Sequence, residues 1–136
     1  MALRQSEEFN SSLLTNCPYP VIVLNPDASI RYVNPALGKL TGFPSAELVG
    51  SKPPYPWWIE GTREECSRNL MKAMRRGTRK YEQLFKRKNG TSFWVEIDFK
   101  TVKVDREFKY YLANWVDLTE RKRLRENMEF YISEIT

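Results

Sequence analysis

The fold is decided by residues 79–103, RKYEQLFKRKNGTSFWVEIDFKTVK. Asn89-Gly90, near the centre, is the strongest short sequence signal for a β-hairpin. Apolar side chains occupy every second position over 93–99, which is the period of a half-buried strand. The stretch therefore predicts one strand over 79–87 and another over 92–103, paired through a tight turn.

The flanking segments extend this hairpin into a sheet. Asp105-Arg106 turns the chain into a third strand over 107–116. Upstream, Val21-Ile22-Val23-Leu24 is a compact apolar run typical of a buried strand. A further short strand begins at Ile30, after the turn residues Asn25-Pro26-Asp27.

Short helices precede the hairpin. We expect one over 3–14, with Phe9, Leu13 and Leu14 among its apolar residues, one from Asn34-Pro35 to Gly42, and a single turn over 45–50. Prolines at three of the four positions 53–56 exclude regular structure over 51–61.

A longer helix follows the proline-rich segment. Thr62-Arg63-Glu64-Glu65 indicates a capping box, in which Thr62 caps the helix and Glu65 reaches back. The helix runs to Arg76, and its apolar face includes Cys66, Leu70 and Met74. The element order predicts an α+β fold, an antiparallel sheet with helices on one face.

Composition excludes several classes of protein chemistry. The 136 residues suit one domain and include no histidine, which removes His general bases, Ser-His and Cys-His pairs, and His-ligated zinc or haem. Two cysteines cannot form a tetrathiolate metal site, so we interpret Cys17 and Cys66 as buried reduced thiols. The sequence contains no nucleophile–base pair, phosphate-binding loop or metal cluster, so we expect no enzyme activity in this segment.

The net charge of +5 is concentrated in one part of the chain. Residues 62–109 carry fourteen basic and seven acidic side chains. Such a balance can indicate nucleic-acid binding, but Lys86-Arg87-Lys88 leads directly into the hairpin turn, where solvated charge is expected. We predict no nucleic acid, no membrane contact within this segment and a cytoplasmic location.

The chain resembles the PAS sensor domain family from about residue 9 to residue 123. The resemblance rests on pieces that occur in the family order: Pro20-Val21-Ile22-Val23-Leu24, Ile30-Arg31-Tyr32-Val33-Asn34-Pro35-Ala36, Leu40-Thr41-Gly42-Phe43, Glu47-Leu48-Val49-Gly50, Arg87-Lys88-Asn89-Gly90-Thr91 and Asp117-Leu118-Thr119-Glu120-Arg121-Lys122. It implies a five-stranded antiparallel sheet with a helical cup on one face. It also divides the chain into an N-terminal cap helix (1–17), the PAS domain (18–118) and the start of a coiled-coil signalling helix (119–136).

The resemblance and strand parity together nominate a pocket between the sheet and the longer helix. The candidate pocket residues are Trp57, Trp58, Leu70, Met71, Met74, Tyr81, Phe85, Phe93, Val95, Ile97, Phe99, Tyr111, Ala113 and Trp115. The resemblance places the two tryptophans at the pocket mouth. Two interpretations stay open: these side chains fill the core, or they line a small-molecule cavity.

No cofactor is firmly predicted. Haem-binding family members use a histidine on the longer helix, which this chain lacks. Photosensory flavin members use a cysteine in an Asn-Cys-Arg-Phe-like motif, and here that region reads Pro54-Tyr55-Pro56-Trp57-Trp58. A non-covalently bound flavin or another small organic ligand remains an open alternative.

The opposite face of the sheet and the C-terminal helix predict a homodimer. The candidate interface residues are Leu84, Trp94, Tyr110 and Leu112 on the sheet and Leu124, Met128, Tyr131 and Ile135 on the helix. The first four form an apolar patch that a lone sheet would expose, and the N-terminal helix can cover part of it. The other four are spaced 4, 3, 4, as in a coiled-coil seam.

Asp117 and Thr119 are the candidate signal junction, because their side chains can cap the C-terminal helix where the last strand ends. In the family this junction couples the sheet to an output helix. The resemblance implies the input module of a bacterial sensor histidine kinase, with the output kinase domain in cis. The alternative is a flavin- or small-molecule-binding redox or metabolite sensor feeding a cyclase, a phosphatase or a transcription factor.

Overall fold

The computed structural model describes residues 15–135, apart from the side chains of residues 109, 131 and 135. Its strands are β1 (Val21–Leu24), β2 (Ile30–Val33), β3 (Thr78–Lys86), β4 (Ser92–Val104) and β5 (Glu107–Asp117). Its helices are α1 (Pro35–Thr41), α2 (Ser45–Leu48), α3 (Arg63–Arg76) and α4 (Thr119–Ile135), and a 3-10 turn (Glu60–Thr62) precedes α3. The predicted helix over 3–14 lies outside the described residues.

The five strands form one antiparallel sheet in the order β2-β1-β5-β4-β3. This confirms the predicted α+β class. The β3–β4 hairpin pairs Leu84 with Trp94. In its turn Gly90 supplies the positive φ of 90°, and the Asn89 side chain accepts a hydrogen bond from the Thr91 N–H.

The sequence signals at both ends of α1 and at the end of α3 are confirmed. The Asn34 side chain accepts from the Leu37 N–H and caps α1, and α1 ends at Gly42. At the end of α3, Gly77 adopts a φ of 78°, and a Cβ there would lie 3.0 Å from Thr101 Oγ1.

The predicted capping box at α3 is wrong. Thr62 makes no side-chain cap, because the preceding 3-10 turn places its hydroxyl where it donates to the Ile59 carbonyl at 2.8 Å. The same Oγ1 atom lies 3.6 Å from Cys66 Sγ. The helix therefore begins on a turn and not on a capping side chain.

One face of the sheet carries the core. Ile22, Phe93, Val95 and Ile97 point towards the helices and are all buried. We call the space between this face and α3 the cup, and the opposite surface the outer face. Most of the candidate pocket residues therefore lie around one cup.

Candidate functional site

The cup contains a small cavity of about 30 Å³. Its walls come from β1, β3, β4, β5, α3 and the segment before α3. The lining residues are Ile22, Leu24, Tyr55, Trp57, Trp58, Cys66, Leu70, Tyr81, Gln83, Phe85, Ile97, Phe99, Ala113 and Trp115. A cavity needs about 10–15 Å³ of this kind of space to hold one water, so this one has room for about two waters.

Aromatic rings fill most of the cup. The Trp57 ring meets Trp115 edge to face at 5.2 Å and stacks on Tyr55 at 5.1 Å. Phe85 lies 5.2 Å from Trp115 on its other side. Such pairs stabilise a core beyond their buried area, so this cluster contributes to the packing of the cup.

One side of the cavity is polar. Gln83 is only 4% exposed, and its side-chain oxygen accepts from Asn69 Nδ2 of α3 at 2.8 Å. Asn69 in turn accepts from Arg79 Nη1 through its side-chain and backbone oxygens, at 3.1 and 3.0 Å. The Asn69–Gln83 bond therefore joins α3 to the sheet at the edge of the cavity.

The titratable groups lining the cavity are held neutral. Burial raises the pKa of the Cys66 thiol and raises the pKa of Tyr81 to about 12. Burial also raises the pKa of Tyr55, whose hydroxyl donates to the Ala28 carbonyl at 2.6 Å. The cavity offers hydrogen-bonding groups but no charge.

The junction between β5 and α4 is bonded to the neighbouring strand β4. The Trp94 carbonyl accepts from the Leu118 N–H at 2.8 Å, and the Trp94 N–H donates to Thr119 Oγ1 at 2.9 Å. Asp117 Oδ1 accepts from the Thr119 N–H at 3.0 Å. Asp117 thus acts as the predicted cap, whereas the prediction for the Thr119 hydroxyl is wrong, because that oxygen is engaged by the strand.

Two further side chains hold the junction in place. Lys122 Nζ lies 2.8 Å from Glu82 Oε1 and 4.2 Å from the centre of the Trp94 ring. Arg87 Nη2 lies 3.9 Å from Asp117 Oδ2, and its Nε donates to the Leu40 carbonyl of α1. The first turn of α4 is therefore tied to β3 and β4.

An antiparallel sheet with a helical cup and a bonded strand-to-helix junction is the arrangement that the sequence resemblance implied. A sequence profile of the PAS domain matches residues 18–120 of the chain. The chain belongs to the PAS domain family. It is accordingly a PAS sensory domain.

This PAS domain is similar in sequence to a curated kinase and similar in fold to several solved structures. Sporulation kinase C of Bacillus subtilis (strain 168) is 26% identical over 127 residues, which are 92% of this chain but only 29% of that protein. An RNA-binding light-oxygen-voltage receptor superimposes with a TM-score of 0.79 at 22% identity, over 93% of this chain and 37% of that one. The PAS domain of the fruit-fly ELK potassium channel superimposes with a TM-score of 0.72 at 21% identity, over 82% of this chain and 96% of that one. The PAS domain spans less than a third of the kinase.

Most of the predicted pocket residues meet at the cavity of the PAS domain. The nine that line it are Trp57, Trp58, Leu70, Tyr81, Phe85, Ile97, Phe99, Ala113 and Trp115. Four others belong to the same core without lining the cavity: Met74, Phe93, Val95 and Tyr111. Met71 does not belong to the pocket, because it lies on the solvent side of α3 and is 57% exposed.

The tryptophans lie deeper than the resemblance implied. Trp57 is 1% exposed and Trp58 6%, so neither stands at an open mouth. The backbone of this segment explains their position: the Lys86 N–H donates to the Trp57 carbonyl, and Trp58 pairs with Phe85. The segment after the prolines thus closes the edge of β3.

Five residues that line the cavity were not among the candidates: Ile22, Leu24, Tyr55, Cys66 and Gln83. Gln83 shares the strand parity of Tyr81 and Phe85, which would have identified it despite its polarity. Ile22 and Leu24 lie on a strand that was predicted as buried. No sequence signal distinguishes Tyr55 from an ordinary loop residue.

A flavin does not fit this cup. The flavin ring system is many times larger than a water molecule, and the cavity of about 30 Å³ has room for about two waters. Admitting it would require the rings of Trp57 and Trp115 to move apart. In this conformation the cup is a filled core with a small residual cavity.

The predicted sheet patch on the outer face divides into two groups. Leu84 and Trp94 are cross-strand partners beside α4, and Tyr110 and Leu112 lie towards the other end of β5. The polar pair Asp98 and Asn114 crosses the sheet between them. All four apolar residues are half-buried.

The helical seam lies on α4. Leu124 and Met128 are 57% and 64% exposed. The side chains of Tyr131 and Ile135, like the predicted covering residues Phe9, Leu13 and Leu14, lie outside the part of the chain that the structure describes. The described half of the seam is thus an open apolar surface.

Within residues 15–135, no helix has the length and apolar character needed to cross a membrane. Among the same described residues, no group of three or more Cys, Asp and Glu side chains is placed to hold a metal ion.

We expect the Glu82 carboxyl group to titrate below the usual range. Its hydrogen bond with Lys122 lowers its pKa, and the nearby charges of Lys122 and Arg125 lower it further. Because the folded pKa is depressed, the contact stabilises the junction above the unfolded pKa and is lost as the pH falls through the folded value. Monitored by NMR, the titration midpoint is expected to rise in Lys122→Met and to stay unchanged in Lys100→Met. Equal midpoints in all three proteins would contradict the contact.

Proposed function

We propose that this PAS domain is the input and dimerisation module of a bacterial two-component sensor histidine kinase in the cytoplasm. In this proposal residues 18–118 are the sensor and residues 119–136 the start of a coiled-coil helix towards a kinase domain in cis that starts a phosphorelay. The cap helix predicted over 1–17 falls mostly outside the described residues. The likeness to Sporulation kinase C supports the kinase. The observation that carries the proposal is the bonding of Trp94 to both Leu118 and Thr119.

This bonding makes the direction of α4 depend on the position of β4. Val95 and Ile97 of the same strand face the cup. A change in the cup that shifts β4 therefore also shifts the hydrogen bonds between Trp94 and the start of α4. In this proposal the junction has two conformational states, and a change in the cup shifts the equilibrium between them.

Asp117→Ala is expected to change kinase output in the full-length protein by about fivefold, because a lost helix cap costs about 1 kcal/mol of a two-state balance. The domain stays folded, since Asp117 is exposed. The measurement is autophosphorylation of the full-length protein, beside thermal unfolding of the 136-residue domain. The matched control is Asp98→Ala, whose carboxylate makes only a 4.0 Å contact with Lys100. Unchanged output, or unfolding of the domain, would contradict a signalling role.

The dimer is the second part of the proposal. Replacing Leu124 and Met128 together by Gln is expected to weaken self-association more than tenfold, because each buried side chain of this size contributes about 1.5–3 kcal/mol. Light scattering over a concentration series measures the effect. Glu126→Gln, on the same helix but off the seam, is the control. A monomeric wild-type domain at high micromolar concentration would refute the dimer.

The alternative function is a small-molecule sensor that feeds a cyclase, a phosphatase or a transcription factor. The aromatic cavity with Gln83 at its edge supports it, for a ligand much smaller than a flavin. Native mass spectrometry of gently purified protein tests it. An added mass that disappears in Gln83→Leu would favour this function, and a bare chain mass would oppose it.

A further inference from the structure

The exposed side of α3 carries a strip of basic side chains. The strip consists of Arg68, Met71, Lys72 and Arg75 together with Asn69, all on this one helix. Residues three and four apart on a helix are surface neighbours, so these side chains form one continuous strip. We call this strip the α3 groove.

The cations of the α3 groove are not engaged in ion pairs within the part of the chain that the structure describes. Among the same described residues, no carboxylate lines the groove. Met71 lies among them at 57% exposure. An exposed methionine is a flexible apolar contact that adapts to different partners.

Asn69 connects the α3 groove to the cup. Asn69 lines the groove, and its amide donates to Gln83, which lines the cavity. Arg79 holds Asn69 from the other side through two hydrogen bonds. Anything that moves α3 at the groove therefore acts on the polar edge of the cup.

We propose that the α3 groove docks an acidic segment of a partner protein. Carboxylates of that segment pair with Arg68, Lys72 and Arg75, and one apolar side chain covers Met71. The charge complementarity supports this occupant, since three unpaired cations around one apolar residue match an acidic amphipathic helix. This surface is distinct from both the coiled-coil seam and the outer face.

Two other classes of occupant fit the groove less well. Single-stranded nucleic acid binds on aromatic stacking platforms, and the groove contains no aromatic residue. Recruitment to anionic lipid uses clusters of about four to eight basic residues, often with aromatic anchors, and here there are three cations and one methionine.

The test is an NMR titration of the isotope-labelled 136-residue chain with a short helical peptide that carries three glutamates around one leucine. We expect amide shifts along α3 and at the side-chain amides of Asn69 and Gln83. Replacing Arg68, Lys72 and Arg75 together by Ala is expected to raise the Kd about tenfold, because exposed ion pairs contribute up to about 1 kcal/mol each. Met71→Ser is expected to weaken binding without removing charge.

The matched control replaces Lys39, Lys103 and Arg106 by Ala, which removes the same charge from other exposed positions. Equal weakening of peptide binding by the control substitutions would overturn the proposal, because binding would then depend on net charge alone. Equal binding of a peptide with serine in place of the leucine would also overturn it. So would tighter binding, through the same three cations, of a single-stranded oligonucleotide or of phosphatidylserine vesicles.

Discussion

Trp57→Ala is expected to lower the free energy of unfolding by about 4 kcal/mol, because removing a buried tryptophan side chain costs about 3–5 kcal/mol. Trp57 is 1% exposed, and its ring contacts Tyr55, Phe85 and Trp115 at centroid distances of 5.1, 6.4 and 5.2 Å. The rigid strands that hold Phe85 and Trp115 cannot close around the vacated space. Urea denaturation followed by circular dichroism measures the loss.

Indole provides the second measurement on the same variant. The cavity left by the Trp57 side chain has the shape of an indole ring, and apolar cavities of this kind bind aromatic molecules. Adding indole is therefore expected to raise the melting temperature of Trp57→Ala and to leave the wild type unchanged. The control is Met71→Ala, at an exposed position, which is expected to cost less than about 0.5 kcal/mol. Equal effects of the two substitutions, or no response to indole, would show that Trp57 does not fill the cup.

Asn34→Ala is expected to lower the free energy of unfolding by about 3–5 kcal/mol and the melting temperature by about 15 °C. Asn34 is 1% exposed and joins three elements. Its side-chain oxygen accepts from the Val21 N–H at 2.8 Å and the Leu37 N–H at 3.1 Å, and its amide donates to the Tyr19 carbonyl at 2.8 Å. Alanine removes the side-chain cap of α1 and leaves the buried Val21 N–H without its partner, whereas the Leu37 N–H keeps its bond to the backbone carbonyl of residue 34.

The control for Asn34 is Asn89→Ala, the same chemical change at an exposed turn. Asn89 accepts from the N–H and the hydroxyl of Thr91, where water can replace it, so we expect a loss below about 1 kcal/mol. Asn34→Asp is the second comparison. It keeps the acceptor oxygen but loses the donor to Tyr19, and it should remain destabilised. A cost for Asn34→Ala no larger than that for Asn89→Ala would show that the hydrogen bonds of Asn34 are not the source of its effect.

Several features of the site were predictable from short-range patterns. The alternation over 93–99 correctly assigned Phe93 and Phe99 to the cup, because strand side chains point to opposite faces with period two. Helical spacing placed Leu70 and Cys66 on the buried face of α3. The same spacing was not used to exclude Met71 from the pocket, although Met71 lies one residue after Leu70 and 100° around the helix axis from it.

Other features depend on contacts between distant parts of the chain. The Thr119 hydroxyl was predicted to cap α4, yet it binds the backbone of Trp94, 25 residues earlier. The same holds for Asn69, whose amide meets Gln83 across the cup, and for Arg87, which reaches the Leu40 carbonyl. No local pattern encodes which of several possible partners a polar side chain will meet.

The sequence alone determined the strands, the helix ends at Gly42 and Gly77, the α+β class and the resemblance to PAS domains. These follow from local rules, since periodicity and turn chemistry depend on neighbouring residues only. Only the tertiary structure decided how much of the cup is filled by side chains and that Trp57, after the prolines, lies in its interior. It also decided that Trp94 and Lys122 bind the start of α4. Each of these depends on how side-chain volumes and hydrogen-bonding groups from separate elements meet in space, and that is settled only when the sheet and helices pack together.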